Sequence, residues 1–446
     1  MRIVSTVVLL LLAPAALADA PARSTFAFTH VTVVDVAAGA ALPDRTVVVS
    51  NGRITNDAMP PPGIRVIDGS GKFLIPGLWD MHVHLLWDPA IDTLFPLCVA
   101  NGVTGVRDMH THLPFEQVRA WRDEVEKGKR VGPRFVYAGP IVDGPRPFWP
   151  GSVSVKDADS ARQAVRELKA KGVYFIKVYE GVPRQAYFAI ADETKKQGLP
   201  FVGHVPAAMT PAEASDAGQR SIEHLSRLLD HCRTDGNGAG GPGLMGSARY
   251  DPAKGAALFE TFRRNHTWHC PTLIVAETTA FGREDHFAHD PRRKYLTPLI
   301  LSRVGFDDSQ RDFDATQHYW REERKLMRHL HEAGVELLAG TDAPIVRNVP
   351  GFSLHDELKC LADSGLTPAE ALRTATLNPA RFLGLEKELG TVEAGKRADL
   401  VLLNGNPLVD VGNVTKIDAV VADGRLFDRA ALDRILGDVE AAAKQP

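Results

Sequence analysis

Hydrophobic positions along this chain fall into two regimes. From Phe26 to Leu74 they form short β-branched runs, FTHVTVVDV, TVVVSNGRI and IRVIDGSGKFL, with Asn51-Gly52 between two of them. An Asn-Gly pair accepts the positive φ angles of a tight turn, so this spacing predicts a β-hairpin. Pro60, Pro61, Pro62 and Gly63 predict a loop. The same character returns at Ala398–Leu403 and at Ile417–Val421, followed by Asp423-Gly424. Two β-rich flanks around a different middle predict a small sheet domain assembled from both ends of the chain.

The middle alternates. Apolar runs at Phe73–Leu78, Gly102–Met109, Arg134–Gly139, Tyr174–Tyr179, Phe201–Val205, Ser221–Leu225, Thr267–Leu273 and Glu336–Gly340 are separated mostly by amphipathic stretches. Thr210-Pro211-Ala212-Glu213 and Thr367-Pro368-Ala369-Glu370 each supply a capping threonine, a first-position proline and a third-position glutamate, which predicts two helix starts. Ser353-Leu354-His355-Asp356 offers a further capping box. This alternation predicts an α/β protein built on a (β/α)8 TIM-type barrel, whose chemistry sits at the C-terminal ends of its strands. A doubly wound sheet competes, and polar residues at successive strand ends favour the barrel. The expected layout is a leader over 1–20, a β-sandwich in two parts over 21–74 and 385–436, the barrel over 75–384 and a tail over 437–446. Two stretches break the rhythm, the Gly-rich 232–252 and the charged 278–318. Both are expected as long loops following strands at the active face, as lids, specificity elements or surface insertions.

Composition narrows the class. Of 446 residues, 44% are apolar and 24% charged, ordinary for a globular protein, and too long a chain for one small core. A net charge of -3 leaves no basic footprint for nucleic acid. Arg2, the apolar run Ile3–Leu12 and small residues through Ala20 read as a secretory signal peptide, too short for a comfortable membrane span. The expected location is secreted or periplasmic. Cys98, Cys232, Cys270 and Cys360 read as buried thiols, with a Cys232–Cys270 bridge as the alternative.

Candidate chemistry starts at IPGLWDMHVHLL, Ile75–Leu86, where His82 and His84 stand two residues apart. Strand side chains have a period of two, so both imidazoles point to one side. Taken alone, the pair fits a metal with nitrogen ligands or two half-buried histidines. Further strand ends carry Lys177 in FIKVY, His204 in FVGHV, His224 in SIEHL and Asp342 in AGTDAP. Each has a structural explanation alone; together, in matching positions, they define a constellation. His110 and His112 repeat the H-x-H spacing outside that context and read as loop residues or as residues supporting the ligands from behind, as do His269 and His355.

On PGLWDMHVHL, IKVY, GHV, SIEHL, GTDAP and the tail LTPAEALRTATLNPARFLGL…LGTVEAGKRADLVLLNGNPL, the chain resembles the metal-dependent amidohydrolase superfamily. It is most similar to the imidazolonepropionase-like and prolidase-like dipeptidase branch. That resemblance implies two divalent metal ions, zinc by expectation. His82, His84 and Asp342 would hold one, His204 and His224 the other, and Lys177, carboxylated on its ε-nitrogen, would bridge them. A mononuclear version on His82, His84, His204 and Asp342 is the alternative. The implied reaction is hydrolysis of an amide C–N bond by a metal-bridging hydroxide, with Asp342 shuttling the proton. Dipeptides or N-acyl amino acids are the expected small-molecule substrates. Cyclic amides, lactones, esters and phosphotriesters are the alternatives on the same site, and a non-catalytic binding protein is the third reading. Tyr179 and Arg146 are the candidates by position for meeting a substrate carboxylate, although PIVDGPRPFWP, Pro140–Pro150, departs from the branch's Gly/His-rich loop. A homo-oligomer is left open.

Overall fold

The computed structural model describes residues 20–87, 90–234, 242–304 and 311–444, so the expected leader lies outside it except for Ala20. Strands β1 (Phe26–Asp35), β2 (Ala40–Ser50), β3 (Arg53–Ile54), β4 (Arg65–Asp68) and β5 (Phe73–Pro76) open the chain. The turn between β2 and β3 uses Asn51 at φ 51° and Gly52 at φ 77°, the pair of positive angles the dipeptide predicts.

The inner strands follow: β6 (Leu78–Val83), β7 (Val103–Asp108), β8 (Arg134–Tyr137), β9 (Val142–Asp143), β10 (Val153–Ser154), β11 (Ile176–Val178), β12 (Phe201–Gly203), β13 (Ser221–Glu223) and β14 (Trp268–Cys270). The chain closes with β15 (Leu400–Leu403), β16 (Ile417–Ala422) and β17 (Arg425–Asp428). The two flanks join in one eight-stranded mixed sheet of order β17-β16-β15-β5-β1-β2-β3, with β4 beside β1. Its period of two is visible in burial. Leu74, Leu400 and Leu402 pack with Phe26 and Phe28, while Ile75, Val401 and Leu403 turn to the larger core.

The strand expected over Phe73–Leu78 divides at Gly77. Phe73–Pro76 pairs with β15, and Leu78 begins the inner layer. A Cβ at Gly77 would stand 2.1 Å from Thr104 Oγ1, so glycine is what lets the chain cross between sheets there.

The inner strands pair in parallel as β6-β7-β8 and as β10-β9-β11-β12-β13-β14. Backbone bonds continue past the ends of these sheets. Tyr174 N donates to Tyr137 O (3.0 Å), Leu338 N to His269 O (2.9 Å) and Met81 N to Ala339 O (2.9 Å). Of the expected eighth strand, Glu336–Gly340, only Leu337 pairs, as an isolated bridge with His269, and Ala343 beyond it bridges to Val83. The arrangement is TIM-barrel-like α/β, and every residue of β6 and β7 is buried, as parallel strands covered on both faces require.

Both threonine capping boxes form, at helices Pro211–Asp216 and Pro368–Thr374. The Ser353 box does not. Helix Phe352–Asp363 begins at Gly351, which places Ser353 inside the first turn, where its hydroxyl accepts from Val349 N. The stretch 278–318 is largely helical rather than a loop: Leu273–Phe281, Asp285–Ala288, Pro298–Val304 and the start of Phe313–Glu332 run through it. Asp312 caps the last of these, and Tyr319, Leu326 and Leu330 bury its inner stripe. In the Gly-rich stretch, Pro242–Ser247 forms a 3₁₀ turn, and 235–241 lie outside the described residues. All four cysteines are free. Cys270 faces His82 and Glu223, whereas Cys232 caps helix Ser226–His231 and accepts from Asp251 N, so no bridge joins them. Among the described residues no helix is long and apolar enough to cross a membrane.

Candidate metal centre

Strand β6 ends at the centre. Its alternation points His82 and His84 the same way, both buried. Backbone bonds from Asp342 N to His82 O (2.7 Å) and from His84 N to Ala343 O (2.8 Å) bring the GTDAP turn alongside. Asp342 sits at φ 59°, a left-handed angle costly for a non-glycine residue, and it aims the carboxylate at both imidazoles. Asp342 Oδ1 lies 3.1 Å from His82 Nε2 and 2.9 Å from His84 Nε2. Ligand atoms around one ion at about 2.1 Å are themselves about 3.0–3.4 Å apart, so this trio is spaced to hold a divalent cation.

His204 and His224 complete the cluster. Their rings are 4.7 Å apart, and His224 lies 4.8 Å from His82. Burial holds both imidazoles well below the usual histidine range, so both are neutral and able to ligate. Each ring is oriented from behind. Glu180 Oε1 accepts from His204 Nδ1 at 3.0 Å, and Glu223 Oε2 from His82 Nδ1 at 2.9 Å. Thr272 spends its proton on Pro271 O (2.8 Å), so its oxygen accepts from His224 Nδ1 at 2.6 Å. All three rings therefore carry their proton on Nδ1 and turn Nε2 inward.

Lys177, on β11, reaches the same space. Its stem lies along Gly203, which has φ 129° and where a Cβ would stand 2.9 Å from Lys177 Cδ. The Nζ is buried and has no hydrogen-bond partner among the described residues. Burial outweighs the attraction of Glu223 and Asp342 and brings the amine down to about 8. An isolated buried ammonium is expensive, so the site favours a neutral or modified amine. For Asp342, burial would raise the carboxyl, but His82 and then His84 outweigh it and hold it well below the ordinary range.

Sequence reasoning missed the residues behind the cluster. Glu223 and Arg107 are fully buried, and Arg107 Nη2 meets both Glu223 oxygens at 2.9 Å while Nη1 donates to Ser221 Oγ at 2.9 Å. Burial would raise the Glu223 carboxyl; Arg107 holds it well below its usual range. Asp108 accepts from Leu85 N (2.7 Å) and Leu86 N (3.1 Å), pinning the exit of β6. Asp80 ties Thr341 to the same strand. Only the placement of Glu223 beside His224, and of Asp80 two before His82, hinted at these roles.

The histidines set aside as loop or supporting residues stay outside the cluster, although His269 lies on β14 and His355 in helix Phe352–Asp363 rather than in loops. The His110 ring is 6.5 Å from His84 and 5.8 Å from His112. His269 is buried with neither ring nitrogen bonded among the described residues, and His355 Nε2 bonds Asn101 O at 2.9 Å. Tyr179 stands beside the cluster, its ring 4.3 Å from His204, while Arg146 is exposed.

A TIM-barrel-like scaffold with a metal-ready histidine and carboxylate cluster at its strand ends defines a class, the metal-dependent hydrolases of this architecture. The chain belongs to the Amidohydrolase family, which it matches over residues 73–427. It is an enzyme, a hydrolase of carbon–nitrogen bonds. It is 25% identical to the imidazolonepropionase of Rubrobacter xylanophilus over 79% of this chain and 80% of that one. Some curated matches are local: one, to the 5-methylthioadenosine/S-adenosylhomocysteine deaminase of Moorella thermoacetica, is 34% identical over 120 residues and spans 28% of that relative. Among solved structures it is similar to the bottromycin amidohydrolase, with TM-score 0.74, 25% identity and coverage of 94% of this chain and 91% of that one. Its fold is also that of a Xaa-Pro dipeptidase, with TM-score 0.68 at 20% identity over 91% of this chain and 100% of that one.

Proposed function

We propose that this enzyme hydrolyses the amide bond of dipeptides or N-acyl amino acids at a centre of two divalent cations, zinc by preference. His82, His84 and Asp342 would hold one ion and His204 and His224 the other, with Lys177 carboxylated between them. When bound, such ions polarise a carbonyl oxygen and make water a nucleophile near neutral pH. The buried, unpartnered Nζ of Lys177 carries this reading. As a free amine it adds carbon dioxide and releases one proton, and the resulting carbamate is an anionic oxygen ligand in place of a stranded ammonium.

The chain's own groups supply the rest. Glu223, Glu180 and Thr272 hold three imidazoles in the tautomer that presents Nε2. Asp342, its side chain 13% exposed, reaches both the cluster and the solvent side. Its carboxylate takes the proton of the attacking water and returns it to the leaving nitrogen. We extend the reading to the layout: the inner strands close into a (β/α)8 barrel over 75–384, the flanks make a β-sandwich over 21–74 and 385–436, and the leader over 1–20 directs export.

The test is amine release from a library of dipeptides and N-acyl amino acids by the zinc-loaded mature enzyme. Turnover of a subset, lost in Asp342→Asn, is expected. Silence with two metals bound would move the reaction to esters, lactones or cyclic amides. Lys177→Ala should lose one metal by elemental analysis and most activity; retention of both would leave the lysine no bridging role.

A further inference from the structure

An arc of aromatic rings spans the mouth of the centre from one histidine to another. The Trp149 ring stacks over His84 at 6.5 Å and 27°, and Phe148 meets Trp149 edge-on at 5.2 Å. Phe148 in turn stacks on Tyr179 at 6.1 Å and 21°, and Tyr179 lies 4.3 Å from His204. Phe148 is 71% exposed.

This arc is built, not incidental. The carboxylate of Asp143, itself buried, accepts from Phe148 N at 3.0 Å, Gly144 N at 2.8 Å and Gly181 N at 2.9 Å. It thereby ties the loop after β9 to the loop after β11. Gly144 seals the junction, since a Cβ there would stand 1.9 Å from Gly181 O. One of these bonds holds Phe148 and the other two fix the loops around it, so a large, mostly exposed apolar ring is kept beside the reacting centre, where it can meet an apolar group of a ligand.

We infer that Phe148, Trp149 and Tyr179 form the side-chain subsite, and that the substrates are amides whose residue beside the scissile bond carries an apolar or aromatic side chain. This rests on the amide-hydrolase reading above and adds the substrate class to it. A pocket contact of this kind changes kcat/KM by about 10–200-fold per apolar group gained or lost.

The experiment compares N-acetyl-glycine, -alanine, -leucine and -phenylalanine with the zinc-loaded wild type and Phe148→Ala, an exposed position at which the variant should fold. The wild type should prefer phenylalanine over glycine by about 10-fold or more in kcat/KM, and Phe148→Ala should cut that ratio about 10-fold. A wild-type ratio near one, or one that Phe148→Ala leaves intact, overturns the subsite. Should the wild type hydrolyse none of the four, the N-acyl amino acid arm of the reaction reading fails, and direct binding of the same compounds decides the subsite. Tighter N-acetyl-phenylalanine binding that Phe148→Ala weakens supports it; equal Kd values for the phenylalanine and glycine compounds sink it.

Discussion

Replacing Glu223 with glutamine tests how the centre is held. The carboxylate has no solvent exposure, accepts twice from Arg107 Nη2, and receives Ser221 Oγ and His82 Nδ1. Glutamine keeps the shape but offers one acceptor oxygen. If that oxygen serves Arg107, the amide NH₂ faces His82 Nδ1–H, donor against donor; if it serves His82, the clash moves to Arg107. Either way the fully buried guanidinium loses its counter-charge. Breaking a buried pair from one side costs about 3–5 kcal/mol, most of it the stranded charge. Freeing a ligand histidine from its orienting acceptor typically costs about 10–100-fold in metal affinity. Denaturant unfolding and zinc titration of Glu223→Gln would read both. A loss below about 1 kcal/mol together with unchanged zinc affinity would refute the claim that this relay positions His82.

Two further perturbations follow from the packing. Gly340→Ala would drive a Cβ to 2.5 Å from Cys270 Sγ and 2.7 Å from His82 Cβ. Overpacking of this kind costs about 1–3 kcal/mol, and zinc titration should show weaker binding as His82 shifts; wild-type values for both would show that the site yields freely. Glu323 is buried near Asp230, and burial, then Asp230, pushes its carboxyl up to about 8 from 4.5. Below pH 4.5 both folded and unfolded chains hold that proton, so the group contributes nothing. Between 4.5 and about 8 the unfolded chain releases it first, so stability falls as pH rises and levels off above about 8. Glu323→Gln should flatten that slope in urea unfolding across the window; an unaltered slope would mean that Glu323 titrates normally.

Some of this protein was legible in one dimension because its cause is local. His82 and His84 share a side because strand side chains alternate, and Asn51-Gly52 turns because both residues tolerate positive φ. The threonine boxes of Thr210 and Thr367 close within one helical turn. Strand ends carrying His204, His224, Lys177 and Asp342 could be collected into one constellation because a repeating strand–helix unit places equivalent positions on one face. Where local pattern misled, tertiary burial supplied the missing half. Residues 313–318 fall in the charged stretch expected as a loop, yet they open helix Phe313–Glu332, whose buried stripe includes Tyr319, Leu326 and Leu330. What no local pattern contained was the support. Glu223 lies 141 positions from His82 and 116 from Arg107, yet all three meet in the interior. The aromatic arc likewise joins residues from separate loops through one buried aspartate. The side-chain period along each strand is set by backbone geometry alone, whereas the partner a buried charge finds depends on which strands become neighbours, and that is decided only when the chain closes on its core.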